Sequence, residues 1–224
     1  MLRTLVLALL ATSAAGAASA QSSERFAVGV TAGTTGFGVE GQFQAAPRIN
    51  LRVAGDLFSY DTDFATDDVN YEAEIDFSQV GGFVDLHPFD NSLFVSGGLY
   101  AGDRSVEVSA TSNRPAEIGN VVFTPQQIGT LTGSVDFGGA APFLGVGFNN
   151  TFRTAGRIGF KAVVGAAFGE EPTVSLRRTA GEPLPAAIQT QFDQELRNEE
   201  RELQEDAEDL KTLPVVQVGL TYRF

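Results

Sequence analysis

The chain has 224 residues, 43% of them apolar, with no cysteine, one histidine and a formal net charge of −13. The absence of thiols excludes a disulfide scaffold, a thiolate nucleophile and Cys-ligated metal, and the acidic balance argues against nucleic acid as a partner. Beyond the N-terminus no apolar run approaches the roughly 20 residues of a spanning helix, so an integral membrane protein with this sequence must be a β-barrel.

Arg3 precedes an apolar run from Leu5 to Ala11 and a small-residue stretch ending Ala18-Ser19-Ala20. This is the pattern of a secretory signal peptide over residues 1–20, cleaved before Gln21. It leaves 21–224 as one domain.

Most of that domain alternates with period two, the signature of strands with two unlike faces. Phe26, Val28, Val30 and Ala32 oppose Ala27, Gly29 and Thr31. Phe37, Val39, Gly41 and Phe43 oppose Gly38, Glu40, Gln42 and Gln44, and Ile49, Leu51, Val53, Gly55 and Leu57 oppose Asn50, Arg52, Ala54, Asp56 and Phe58. The fourth segment, Tyr71 to Leu86, changes phase: Tyr71, Ala73, Ile75 and Phe77 are odd, whereas Val80, Val84 and Leu86 are even. A β-bulge near Ser78 to Gly82 is expected to restore the phase. The fifth, from Leu93 to about Ser105, is too glycine-rich for its faces to be assigned. Leu144, Val146 and Phe148 then oppose Phe143, Gly145 and Gly147, and Ile158 to Phe168 alternates in the same way. In the last segment Val216, Val218, Leu220, Tyr222 and Phe224 oppose Val215, Gln217, Gly219, Thr221 and Arg223.

The connections alternate too. They are short at Ala45–Arg48, His87–Ser92 and Asn150–Ala155, and long at Ser59–Asn70, Ala110–Gly139 and Gly169–Thr212, with a short exception at Thr34–Gly36. A soluble β-sandwich needs no such asymmetry, whereas outer-membrane barrels have short periplasmic turns and long extracellular loops. The sequence therefore predicts an all-β fold, an eight-stranded antiparallel transmembrane β-barrel.

Two long connections carry the acidity. Asp61, Asp63, Asp67, Asp68, Glu72, Glu74 and Asp76 lie between Ser59 and Asp76 without a base; Gln191 to Lys211 has a net charge of −6. The second segment lies within a predicted helix, Ala186 to Lys211, bounded by Pro185 and Pro214, with Phe192, Leu196, Leu203, Ala207 and Leu210 near one stripe. It is expected to be a solvated helix in the last long loop or a cap over the mouth. Asp61-Thr62-Asp63 opens like a calcium loop, but Ala65 and Thr66 stand where a ligand and a glycine belong, so no metal or cofactor site is assigned. Loose bridging of these carboxylates to lipopolysaccharide phosphates by divalent ions is the alternative.

Val216-Gln217-Val218-Gly219-Leu220-Thr221-Tyr222-Arg223-Phe224 resembles the C-terminal strand of Gram-negative outer-membrane proteins. The barrel pattern as a whole resembles small barrels of the OmpA, OmpX and OmpW kind. The resemblance implies residence in the outer membrane as a monomer in lipid and lipopolysaccharide. It also implies that Val216, Val218, Leu220, Tyr222 and Phe224 are the signal read by the barrel-assembly machinery. No OmpA-like peptidoglycan-binding domain follows the pattern, so that cell-wall role does not carry over.

Parity places Glu40, Arg52, Asp56, Arg157, Lys161 and Arg223 in the lumen, with Gln42, Gln44 and Gln217, and opposite charges there are expected to pair. Eight strands enclose a lumen just wide enough for side chains to fill. A polar plug with a structural or surface-contact role is expected. The alternative is an OmpW-like passage for a small or hydrophobic solute lined by Phe58, Tyr60 and Phe143. The sole histidine, His87, lies in a short turn, and no G-x-S-x-G or Walker A pattern occurs, so the sequence does not predict an enzyme.

Overall fold

A computed structural model of the chain describes residues 23–66, 69–118, 121–179, 181, 184 and 186–224. The expected signal peptide, the acidic pair Asp67 and Asp68, and Pro185 lie outside them. The strands are β1 (Phe26–Gly33), β2 (Gly36–Ala46), β3 (Ile49–Ala65), β4 (Val69–Leu86), β5 (Leu93–Ser112), β6 (Ala116–Ile118), β7 (Val121–Phe123), β8 (Thr130–Asp136), β9 (Ala140–Asn149), β10 (Ile158–Phe168), β11 (Thr173–Thr179) and β12 (Thr212–Arg223). Helix α1 (Pro125–Ile128) precedes β8, and α2 (Ala186–Ala207) runs through a 3₁₀ turn, Glu208–Lys211, into β12.

Eight antiparallel strands close a ring in the order β1–β2–β3–β4–β5–β9–β10–β12, and β12 returns to β1 from Ala27↔Arg223 to Gly33↔Gln217. Closure leaves no free strand edge at the level of the ring, the condition for a sheet to sit in hydrocarbon. Every ring strand turns its apolar alternate outward. On β3 these are Ile49, Leu51, Val53 and Leu57, all exposed, over a span matching the roughly 9–11 residues of a tilted transmembrane strand. Phe26, Phe43, Phe148, Phe160, Tyr222 and Phe224 gather at the short-turn end, several in ring contact, as an aromatic girdle. On β5, even positions point inward: Phe94, Ser96 and Tyr100 are buried, and Leu93, Val95 and Leu99 face out.

The bulge expected near Ser78 to Gly82 is absent. β3–β4 pairing runs unshifted from Ile49↔Leu86 to Ala65↔Asn70, and β4–β5 pairing from Leu86↔Val95 to Val69↔Ser112. The strands keep their phase and it is the surroundings that change. Below Ser78 the outward face of β4 carries Val80, Val84 and Leu86; above it the same face carries Asp76, Glu74 and Glu72. The inward face carries Gln79, Phe83 and Asp85 below Ser78 and Phe77, Ile75 and Tyr71 above it.

Much of the long connections expected as loops is therefore strand. β8 and β9 keep one register against β5, bridged where Phe137 N–H donates to Arg104 O (3.0 Å) and Gly102 N–H donates to Gly139 O (2.8 Å). β11 follows β10 and pairs with β8, its register displaced by one residue from that of β10 on β9 (Thr173↔Asp136 after Ala167↔Phe143). The result is a tall wall of β3, β4, β5, β8 and β11 rising from one side of the ring, opposite the low side of β12, β1 and β2.

Helix α2 lies along the free edge of β11. Val174 N–H donates to Gln204 Oε1 (2.9 Å), Gln204 Nε2 donates to Pro172 O (2.7 Å), and Leu176 N–H donates to Glu200 Oε2 (3.2 Å). The spacing matches: four helical residues advance about 6 Å and two strand residues about 6.6 Å. Nearer the start of the helix, Phe192 packs edge-on to Phe123 at 5.1 Å beside Ile128, with Ile188, Leu196 and Leu131 around them. The stripe predicted through Leu203 and Leu210 is displaced, since those residues are 39% and 50% exposed. The packing face runs Ile188, Phe192, Leu196, Glu200, Gln204, and its two polar members serve the strand edge. The helix neither floats free nor enters the lumen.

Replacing Gln204 and Glu200 together by alanine removes three hydrogen bonds worth about 0.5–1.5 kcal/mol each. Amide hydrogen exchange at Val174 and Leu176 should accelerate while that of ring residues such as Val218 stays slow. Unaltered exchange at both would mean that the helix does not hold this edge.

Candidate functional site

Among the described residues, buried charge concentrates in the lumen. Inward positions of β2, β3, β4 and β10 bring Glu40, Arg52, Asp56, Asp85 and Lys161 together, each no more than 3% exposed. Arg52 donates through Nε and Nη2 to the two oxygens of Asp85 (3.1 and 3.3 Å) and through Nη2 to Ser96 Oγ (3.2 Å). Its Nη1 lies 3.9 Å from Glu40 Oε2, which is in contact with Lys161 Nζ. Lys161 also donates to Gln217 Oε1 (3.2 Å), and Gln217 Nε2 passes the chain on to Asp56 Oδ1 (3.1 Å), where Thr31 also donates. Gln42 donates to Glu40 (2.6 Å), and Asn149 donates to Gln42 (2.9 Å). The polar chain thus crosses the lumen from β4 to β1.

The other half of the lumen is apolar. Phe83, Tyr100 and Phe143 meet edge to face, with centroids 4.9–5.7 Å apart, beside Phe94, Val163, Ala167 and Val215. Arg52 joins the halves: its guanidinium carbon lies 4.1 Å from the Phe83 ring centre, a cation–π contact added to its ion pairs. Glycine makes room for this filling. A β-carbon on Gly145 would come within 2.6 Å of the Phe143 ring, and one on Gly38 would collide with Asp56. The concavity of about 550 Å³ lined by Leu93, Val95, Val146, Phe148 and Ala162 opens on the lipid-facing side of the ring.

Of the residues that the sequence directs inward, Glu40, Arg52, Asp56 and Lys161 meet. Arg157 and Arg223 do not. Arg157 precedes β10, is exposed and donates to Tyr222 Oη (3.1 Å); Arg223 donates to the carbonyls of Thr154 and Gly156 (both 3.2 Å). Their parity is inward, but both stand at the short-turn rim where the lumen has ended. Asp85 and Ser96, the main partners of Arg52, escaped the sequence reading. Asp85 lies between outward Val84 and Leu86, so the same period-two pattern could have found it. Phe143 is sealed in the core, while Phe58 and Tyr60 face the mouth above it.

The floor at the short-turn end is closed by His87, which has no exposed surface. The Asn91 carbonyl, 2.9 Å from Nδ1, can only accept, so Nδ1 carries the proton and Nε2 accepts from Asn50 Nδ2 (3.0 Å). Burial, with nearby Arg153, holds the pKa of His87 below its ordinary value, the Asn91 hydrogen bond opposing the shift. At the opposite end, Asp61, Asp63, Glu72, Glu74 and Glu107 line a shallow outward recess of about 190 Å³. A hydrogen bond with Asp76 and the surrounding negative charge raise the carboxyl pKa of Glu74.

No protein-family model matches the sequence, and no curated protein does. Among solved structures the fold is similar to that of CarO2 from Acinetobacter baumannii, at 21% identity over 89% of this chain and 98% of that one, with a TM-score of 0.60. It is similar also to CarO of the same organism, at 22% identity over 88% and 97%, with a TM-score of 0.58. A major outer membrane protein from Thermus thermophilus aligns over 89% and 98% at 14% identity, with a TM-score of 0.40. The closed ring, its lipid-facing belt and the first two likenesses agree on the fold of an outer-membrane β-barrel.

Two consequences of this interior are measurable. Arg52→Met strands Asp85 without its cation, while Glu40 keeps Lys161, and should lower the urea stability of the refolded barrel by about 3–5 kcal/mol. Adding Asp85→Asn should return part of that loss; an unaltered single variant would show the pair to be energetically silent. For His87, a depressed folded pKa means that its contribution is complete above the unfolded value of about 6.5 and is lost as pH falls through the folded value. The drop in urea midpoint between about pH 7.5 and about pH 5 should therefore be smaller in His87→Gln than in the parent, and equal drops would refute the assignment.

Proposed function

We propose that this protein is a closed structural barrel of the outer membrane that displays its tall wall as a contact surface at the cell exterior. The observation that carries the proposal is the filled lumen: Arg52, Lys161, Asp56 and Asp85 are almost wholly buried in one chain of ion pairs and hydrogen bonds beside the Phe83–Tyr100–Phe143 cluster. An eight-stranded ring has little spare interior, and opening a path here would require breaking ion pairs and moving three aromatic rings. The short-turn end with its aromatic girdle is then periplasmic and the acidic wall is extracellular, as in barrels of this architecture. Asp61, Asp63, Glu72, Glu74 and Asp76 stand directly above the belt at the level of lipopolysaccharide phosphates. Val216, Val218, Leu220 and Tyr222 all face outward on the closing strand, and Phe224 is exposed beside Tyr222, which supports their reading as the assembly signal.

A second reading, passage of a small apolar solute, is favoured by the half-exposed aromatic side chains on the inward face above the lumen: Tyr60, Phe64 stacked at 4.9 Å on Tyr71, and Phe58 near Phe77. Sealed Phe143 beneath them weighs against it.

Single-channel recording on the refolded barrel in planar bilayers tests the two. The intact protein should be silent, and a paired Arg52→Ala and Phe143→Ala variant should show brief openings. Reproducible unit conductance from the intact protein would overturn the structural reading.

A further inference from the structure

The tall wall has two edges, and the structure treats them differently. The β11 edge is occupied by α2 through Gln204 and Glu200. At the other edge, β2 stops pairing with β3 at Phe37↔Leu57, so β3 continues from Ser59 to Ala65 bonded to β4 alone. The Leu57 carbonyl points toward β2, since a β-carbon on Gly36 would strike it. By the alternation of an antiparallel ladder, the N–H and C=O groups of Ser59, Asp61 and Asp63 point the same way, beyond the end of β2. Among the described residues no hydrogen bond reaches them, and Tyr60 and Phe64 are each 52% exposed.

We propose that this edge is a docking site for an extended polypeptide strand with basic side chains on one face and apolar side chains on the other. A row of unpaired backbone groups is a template for strand addition. The faces beside it set the partner's chemistry. Outward, Asp61 and Asp63 have no ion-pair partner among the described residues and call for Lys or Arg at the adjacent positions; inward, Tyr60 and Phe64 call for apolar residues. A second copy is a poor occupant, because antiparallel self-pairing sets these carboxylates against each other. The space also suits one strand. Between β3 and the line of β10 and β11 stand only the low strands β12, β1 and β2, giving roughly 19 Å at about 4.8 Å per strand. Helix α2, roughly 10 Å across, fills about half of this gap. An added strand would sit above the tip of β2.

This inference deepens the surface-contact reading and rests on it, yet the two fail separately. Conductance of the intact barrel would remove the plug and leave edge binding untouched. Failed strand addition would leave the plug intact.

The test uses the full refolded chain in zwitterionic detergent and a seven-residue peptide alternating lysine and valine. Two further forms of it are N-methylated at alternate amides, in either phase, so that charge and composition hold while one or the other peptide edge is blocked. The unmodified peptide should bind and slow amide exchange at Ser59, Asp61 and Asp63 at least tenfold. One methylated phase should bind as well and the other at least tenfold more weakly. Asp61→Lys with Asp63→Lys should transfer the preference to a glutamate–valine peptide. If that variant does not fold, Asp61→Ser with Asp63→Ser should weaken the lysine–valine peptide at least tenfold. Equal binding of both methylated phases, meaning adhesion by charge alone, would overturn the proposal. So would protection confined to α2, or a peptide-free dimer that protects the same three amides.

Discussion

Satisfaction of the backbone is the constraint from which this structure follows. In hydrocarbon an unpaired N–H or C=O costs several kcal/mol, so a chain without a long apolar helix can cross only as a sheet whose first and last strands meet. The pairing of β1 with β12 meets that condition and fixes the rest. It brings the N- and C-terminal strands side by side, forces alternate residues into a narrow interior, and sets which side chains must find partners there. Above the belt, water relaxes the requirement. The ring is no longer obliged to stay closed, and the sheet opens into a wall with two ends.

The interior shows how a polar lumen can be dense without being a channel. Isolated charges in so enclosed a space would be costly, so most are shared: Glu40 serves Arg52, Lys161 and Gln42, and Asp85 serves Arg52 and Ser96, while Asp56 is held by the neutral donors Thr31 and Gln217. Such networks gain little over a well-packed apolar core but are costly to break. Here they occupy the half of the lumen opposite the aromatic cluster, and the Arg52 guanidinium bonds to one half while lying over a ring of the other. The arrangement supplies a unique filling for a ring that could not be packed with aliphatic residues alone without losing its inside-out pattern.

Much of the ring was legible in the sequence because lipid and a narrow lumen impose opposite demands on alternate residues. Ile49 to Leu57, Leu144 to Phe148 and Val216 to Phe224 could be assigned face by face for that reason. The wall was obscured by the same logic, since alternation was read as if one environment applied throughout. At Ser78 the outward surroundings turn from lipid to water, and the apolar residues move to the other parity while the strand continues in register. What resembled a bulge was a change of solvent. Of the lumen, Glu40, Arg52, Asp56 and Lys161 were legible from parity, whereas Arg157 and Arg223 show that parity gives direction but not depth. Glu200 and Gln204 were hidden because a packing stripe is sought among apolar residues, and the edge of β11 needed hydrogen-bonding side chains instead.

The placement of carboxylates at one end has a consequence for how the barrel resides in its membrane. Asp61, Asp63, Glu72, Glu74, Asp76 and Glu107 sit on the outward face of one wall, while the opposite rim offers short turns and aromatic rings. In the proposed orientation the acidic hairpins must traverse the bilayer during insertion, at a cost of several kcal/mol for ionised groups near its centre. Withdrawal would meet the same barrier from the other side, with the hydrogen bonds of the closed ring to be broken as well. The orientation is therefore held kinetically, and a barrel that has once passed its wall across remains where it was placed even if its equilibrium preference is modest.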